Sequence, residues 1–221
     1  MGRLDSVKGV TPVSDLRQQI LDASVALIEA EGLGALSLRE VARRAGVSHQ
    51  APYHYFADRA AILAAVAQVG FERLRDALRE AHTGPGDAVA RLERGGRAYV
   101  AFARAHPGYF RVMFRPELVD LSEHPEAVAA ADEARALLDA LVQALVDEGR
   151  LAPDDVTGMV TLAWSFVHGL ASLVLDGPLA HTSEVATEVQ LEAAFRVYTA
   201  LVAGAPKSAR APRKRRSAKA R

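Results

Sequence analysis

SLREVARRAGVSHQAPYHYF, residues 37–56, decides how the rest of the 221-residue chain is read. Ser37 stands as an N-cap with Glu40 three residues on, the capping-box spacing that opens a helix. Leu38, Val41, Ala42 and Ala45 follow at helical spacing and define one buried face. Gly46 stops that helix. Ser48 is expected to cap a second, short helix ending near Phe56, and Asp58 to cap a third. Two short helices joined by a glycine-containing turn of three or four residues make a helix-turn-helix. The second helix opens on Ser48, His49 and Gln50, polar groups at the end where free N–H groups and the helix dipole attract phosphate. In such motifs these positions reach base edges. Gln50 can pair with adenine, His49 can bond the guanine acceptors, and Ala51 can touch a thymine methyl. Tyr53, His54 and Arg59 are placed to grip phosphates, contacts that fix register but carry no sequence information. Periodicity alone leaves open a capped helical hairpin with no nucleic-acid role.

Outward from this stretch the chain is helical throughout. Upstream, Leu16, Ile20, Ala23, Leu27 and Ala30 lie on one helix face, ended by Gly32 and Gly34. Downstream, Leu63, Ala67, Phe71, Leu74 and Leu78 mark the helix that starts at Asp58. Thr83-Gly84-Pro85-Gly86 breaks it and marks the expected domain change. Helices are then expected over 88–105, 107–114, 125–148, 153–175 and 183–203. Alternating strand patterns are absent. The predicted fold is all-α: an N-terminal three-helix helix-turn-helix domain and a C-terminal helical ligand-binding and dimerisation domain, about nine helices in total. The expected divisions are an arm over 1–14, the DNA-binding domain with its connecting helix over 15–83, the sensing domain over 84–205, and a basic tail over 206–221.

Charge is unevenly spread. The chain has 27 basic and 27 acidic residues, yet residues 207–221 hold eight basic residues and no acid. A cationic tail on an acidic body fits an arm that meets a polyanion, or equally a solvated tail with no specific partner. The chain has no cysteine, which excludes disulfides, thiolate zinc sites and a cysteine nucleophile. No segment reads as a signal peptide, and no run of about 18 apolar residues lacks a charge or breaker, so a cytoplasmic protein off the membrane is expected. No nucleophile motif, metal-ligand cluster, phosphate-binding glycine loop or carboxylate pair appears. An enzyme, a metal site and a cofactor are therefore not expected.

The stretch from Arg17 to Leu63 closely resembles the DNA-binding domain of the tetracycline-repressor (TetR) family. The matching residues are Ile20, Ala23, Gly32, Ser37, Leu38, Val41, Ala42, Ala45-Gly46-Val47-Ser48, Tyr53-His54-Tyr55-Phe56, Arg59 and Leu63. The resemblance implies that Ser37 and Tyr53 contact phosphate, that Arg39 reaches a base or phosphate, and that His49 and Gln50 read bases. Arg59 matches a usual lysine and keeps its charge. Two residues depart from the pattern. Gln50 stands where glycine is frequent, and Pro52 stands where leucine or isoleucine is usual, removing one backbone donor. Farther on, Trp164, His168 and Gly169, with the upstream AHPGYFRVMF, resemble the subgroup named for its Trp-His-Gly sensor domain.

The second half has too much apolar surface for one chain to cover. The helix around 160–175 is apolar on most sides, and the last helix carries Leu191, Ala194, Phe195, Tyr198, Leu201 and Val202. A second copy, pairing through these two helices into a four-helix bundle, is the simplest solution. Such a homodimer would read a palindrome with two recognition helices about 34–36 Å apart. Candidate pocket residues are Tyr99, Phe102, Tyr109, Phe110, Met113, Phe114, Trp164 and His168, set against the reading that aromatics at helical spacing are core. The expected function is a repressor released from double-stranded operator DNA by a mid-sized, fairly apolar inducer. The alternative is a constitutive, architectural DNA-binding protein driven by its basic tail.

Overall fold

The structure, a computed structural model, describes residues 13–204. Among the described residues there are eight α-helices and no strand. They are α1 (Val13–Glu31), α2 (Leu38–Ala45), α3 (Arg59–Thr83), α4 (Ala88–Ala105), α5 (Pro107–Met113), α6 (Pro125–Asp147), α7 (Val156–Leu175) and α8 (Glu184–Gly204). This is one fewer than the sequence periodicity predicts, and the missing helix is the one expected from Ser48 to Phe56. The arm and the basic tail lie outside the described residues, apart from Val13 and Ser14, which open α1.

The chain forms two compact units. The first contains residues 13–78 and 99–136. In it α1 buries Ile20, Leu21, Leu27 and Ile28, α2 buries Leu38, Val41 and Ala42, and α3 buries Ile62, Leu63 and Val66. Each large side chain removed from water stabilises by about 1.5–3 kcal/mol, so the three helices hold through their shared apolar face. Polar stitches fix α2 on α1. Gln19 Nε2 donates to the Ala45 carbonyl (2.9 Å), and Arg44 pairs with Glu31 (3.1 Å). A single turn of 3-10 helix, Leu33–Ala35, links the two. Arg59, at the start of α3, reaches back to this link: Nε donates to Leu36 O (3.1 Å) and Nη2 to Leu33 O (2.9 Å). In the same unit α5 lies against α1 and α3. Gly108 N donates to Glu29 Oε1 (3.0 Å), and a side chain at 108 would meet Val25 Cγ1 at 2.9 Å. Gly70 gives Met113 similar room.

The second unit contains residues 79–98 and 137–204. Its core gathers Val89 and Leu92 of α4, Leu141, Val142 and Leu145 of α6, Val160 and Ala163 of α7, and Tyr198 and Val202 of α8. A charged clasp joins α4 to α8. Arg97 pairs with Glu93 (2.8 Å) and Glu192 and lies over the Phe195 ring (4.7 Å), while Thr199 Oγ1 donates to Glu93 Oε2 (2.9 Å). Phe166 stacks on Tyr198 with centroids 4.3 Å apart. Burial pushes the Tyr198 hydroxyl up to about 12.

Large apolar side chains remain exposed on α7 and α8, among them Leu162, Leu173, Val189, Val197 and Leu201. Of these, Leu162, Val197 and Leu201 border a groove of about 710 Å³, with Met159, Phe166 and Ala194 also lining it. The stretch Pro153–His181 is long and apolar enough to cross a membrane by length and composition, with a mean hydropathy of 1.6.

Arg59 yields a direct prediction. Arg59→Ala removes two charge-assisted bonds and takes this partner from the Leu36 carbonyl, while the Leu33 carbonyl keeps the Leu36 N–H (3.3 Å), so stability should fall by about 1.5–3 kcal/mol. Arg59→Lys, with one reaching donor, should lose less. Urea unfolding measures both, and an Ala variant as stable as wild type would remove the brace from this account.

Candidate nucleic-acid interface

The motif is built from its caps. Ser37 is extended (φ −145°, ψ 151°) and its Oγ accepts from Glu40 N at 3.2 Å, as the sequence predicts. The reciprocal half of the capping box is not made. The Glu40 carboxylate is instead held by Arg43, whose Nε donates to both oxygens (3.0 and 2.9 Å). That pairing holds the Glu40 carboxyl below its usual range. Gly46 then ends α2 in the left-handed conformation (φ 69°, ψ 29°). Its N–H and that of Val47 (3.0 Å to Ala42 O) satisfy carbonyls of the last turn. A side chain at 46 would meet nothing within 4 Å, so the glycine serves the backbone angle and not space.

The reading segment differs from the α-helix expected over 48–56. It is a run of tight turns around one turn of 3-10 helix, Pro52–His54. Ala51 N donates to Ser48 O (3.0 Å), Tyr53 N to Gln50 O (3.1 Å), His54 N to Ala51 O (3.2 Å) and Tyr55 N to Pro52 O (3.0 Å). An α-helix would need Pro52 to donate to Ser48 O, and proline has no N–H. Ala51 takes that carbonyl instead, and the chain tightens to three-residue spacing. Ser48 thus enters through its carbonyl.

This geometry sorts the expected contacts. Ser48, His49, Gln50, Tyr53 and His54 are exposed, with Tyr53 at 55 %. Ser37, the N-cap of α2, and Arg39 on α2 are exposed as well. Ala51 is 7 % exposed and belongs to the core, so the expected contact with a thymine methyl is withdrawn. Pro52 is buried beside it and supplies the apolar bulk an aliphatic residue would give. Phe56 is core (3 %), with the Arg17 guanidinium over its ring at 5.4 Å. Arg59, expected at a phosphate, spends two donors on the Leu33 and Leu36 carbonyls. Sequence reading could not find that brace, nor the Glu31–Arg44 pair, because the partners lie 26, 23 and 13 residues apart.

The candidate pocket residues fall in both units. Tyr99, Phe102, Tyr109, Phe110 and Met113 are buried in the first and Phe114 is half-buried there. They form a ring-edge cluster: Tyr99–Phe110 at 5.8 Å, Phe110–Phe114 at 5.5 Å and Phe71–Phe114 at 5.4 Å between centroids. Arg73 lies over the Tyr109 ring (4.8 Å). Trp164 and His168 sit on α7 in the second unit, ring to ring at 5.9 Å, with Trp164 39 % exposed. Among the described residues no group of three metal-binding side chains comes together.

Two histidines are held below their ordinary value. Burial lowers His168, and burial with the Arg73 charge lowers His106 against a smaller opposing pull from Glu29. The unfolded chain therefore binds more protons below about pH 6.5, and stability should decline as pH falls from about 7 to 5. His168→Gln and His106→Gln should each flatten that decline in pH-dependent thermal melts. An unchanged slope in both would contradict the burial-based reading.

Two family models match the chain. Residues 20–66 match bacterial regulatory proteins of the tetR family, and residues 92–198 match a tetracyclin repressor-like C-terminal domain. The HTH-type transcriptional regulator BetI of Klebsiella pneumoniae (strain 342) is 37 % identical over 87 residues, covering 38 % of this chain and 44 % of that protein. The chain thus matches under half the length of this curated relative. Among solved structures, a Rhodococcus sp. RHA1 protein of unknown function superposes with a TM-score of 0.69 at 30 % identity, covering 88 % of this chain and 98 % of its own. The TetR family transcriptional regulator PfmR from Thermus thermophilus gives 0.64 at 23 % identity, covering 83 % and 96 %. Matched at both its motif and its C-terminal half, the chain belongs to the tetracycline-repressor family of DNA-binding transcription regulators.

Proposed function

We propose that the chain is a ligand-responsive repressor that leaves a palindromic operator when a small molecule binds its C-terminal half. The observation that carries this is the accessible row of Ser48, His49, Gln50, Tyr53 and His54 behind the Gly46 turn. His49 and Gln50 read base edges. Arg39, Tyr53 and His54 contact phosphates, with Ser37 at the start of α2. Arg59 braces the motif from within and is not a clamp. The protein acts in the cytoplasm, where its operator is.

A homodimer through α7 and α8 presents this row twice. The outer side of α8 supports it by its division. Glu188, Glu192 and Arg196 follow one edge, while Val189, Ala193, Val197 and Leu201 follow the other. Covering Val197 and Leu201 gains about 1.5–3 kcal/mol each. A second copy accounts for this surface better than a bilayer does. Val160, Ala163, Val167 and Ala171 of α7 are already buried, whereas lipid would surround the helix.

The proposed switch has two states. α3 is one unbroken helix of 25 residues, roughly 37 Å long, and begins beside the reading segment at the Asp58 cap, where Ala61 N donates to Asp58 Oδ1 (2.8 Å). A ligand that binds one tilt of α3 better than another changes the spacing of the two reading segments and so the operator affinity. The aromatic cluster of Tyr99, Phe102, Tyr109, Phe110, Met113 and Phe114 suits a fairly apolar inducer. Trp164 and His168 belong to a sensor of the Trp-His-Gly type.

The dimer is tested with Leu162→Glu and Leu201→Glu, which place charges on the exposed apolar face. Sedimentation velocity at micromolar protein should show a dimer for wild type and a monomer for the double variant, with helical circular dichroism retained. A double variant that stays dimeric would exclude α7 and α8 as the interface.

A further inference from the structure

The helix-turn-helix is poor in available positive charge, although its α2 carries three arginines. Two of them are tied to carboxylates. Arg43 is bonded through Nε and Nη2 to Glu40, one helical turn back, and Arg44 bonds Glu31 of α1 at 3.1 Å. Among the described residues, Arg39 is the α2 arginine with no carboxylate bonded to it. Arg39 and Arg43 are four residues apart, and so stand on one face of the helix. That face holds the exposed Arg39, and Arg43 continues it at 67 % side-chain exposure. Exposure alone would leave both open to a phosphate. The charge count would not, because Glu40 cancels Arg43 where a phosphate would otherwise do so.

We propose that Glu40 is an acidic screen on Arg43 that lowers the affinity of the motif for the phosphate backbone of DNA of any sequence, leaving base reading to His49 and Gln50. The proposal rests on the DNA-binding reading above. Its physical basis is counterion release. Each phosphate neutralised by a protein cation releases condensed ions and steepens the salt dependence of binding, and this term is blind to sequence. A cation that brings its own carboxylate neutralises little and releases little. The ion pair itself is weak, as exposed pairs are, so breaking it is cheap. The carboxylate stays in place all the same and opposes any phosphate that approaches Arg43. A term common to operator and bulk DNA cancels in the ratio of their affinities, so the screen sets how tightly the chain holds any duplex while discrimination stays with the base contacts. A basic face on α2 would hold any duplex more tightly.

The test uses the full chain and a mixed-sequence duplex, so no operator need be known. Binding is followed by fluorescence anisotropy between 50 and 200 mM salt for wild type, Glu40→Gln, Arg43→Ala, Arg39→Ala and the Glu40→Gln/Arg43→Ala double variant. Glutamine keeps the backbone bond to Ser37 and suits the third position of the helix. Thermal melts confirm that each variant folds. Glu40→Gln should bind the duplex roughly three- to tenfold more tightly at 50 mM salt, with a salt slope steeper by about one. Arg43→Ala, which leaves the Glu40 carboxylate uncompensated, should bind somewhat more weakly than wild type, Arg39→Ala should weaken binding too, and the double variant should return to near wild type. A Glu40→Gln slope equal to wild type would overturn the proposal. So would a gain that persists in the double variant, since it would not pass through Arg43. A chain that shows no binding in any form, or whose Arg39→Ala variant binds unchanged, would count instead against the DNA-binding reading.

Discussion

Proline at position 52 has no N–H to give, and the shape of the proposed DNA-reading surface follows from that absence. Without the bond from residue 52 to the Ser48 carbonyl, Ala51 takes the carbonyl and the segment tightens into a 3-10 turn. The tightening turns Ala51 and Pro52 into the core and leaves His49, Gln50, Tyr53 and His54 outside. The rest of the motif is arranged around that piece. Gly46 sets the bend that leads into it, Arg59 ties the following helix to the loop before α2, and Phe56 anchors its end under Arg17. A segment this short has too few internal bonds to hold itself. Its position is imposed by neighbours, which makes the packing of α1, α2 and α3 a condition of DNA reading.

The same unit shows how α5 is coupled to the motif in bonds rather than in general proximity. The N-terminal turn of α5 is capped by a carboxylate of α1, Glu29, and Gly108 is what lets the two helices come so close. Met113 fits against Gly70 of α3, and Arg73 of α3 lies over Tyr109. A shift of α5 would strain contacts to two helices of the motif at once. In the second unit the Arg97 clasp holds α8 to α4, while Val189, Val197 and Leu201 of α8 stay exposed. These exposed apolar groups on α8 are the surface on which the proposed dimer rests.

Much of this is legible in the sequence, and what is not has physical causes. Spacing of Leu38, Val41 and Ala42 locates α2, and Ser37, Gly46 and Asp58 mark boundaries that the structure keeps. Local rules work there because caps and amphipathic faces are settled within a few residues. The 3-10 turn escapes them because a donor lost at Pro52 acts on the neighbouring bond, which spacing does not register. Ala51 is misplaced for the same reason: turning the backbone by one bond exchanges inside and outside. Spacing makes Glu40 a capping partner, but Arg43 competes for the same carboxylate with two donors, and an ion pair outweighs one bond to a backbone N–H. The site residues that depend on distant partners, such as Arg59 and Glu29, carry no local signal at all.

The central claim is that two copies of an exposed row beginning at Ser48 read a palindrome. Selection of bound duplexes from a fully randomised pool, followed by sequencing, tests it most directly. The account predicts enrichment of two inverted half-sites, with the preference at one half-site position lost when Gln50→Ala replaces the wild-type chain. Enrichment of no sequence over the starting pool, or of a single half-site bound equally well alone, would contradict it.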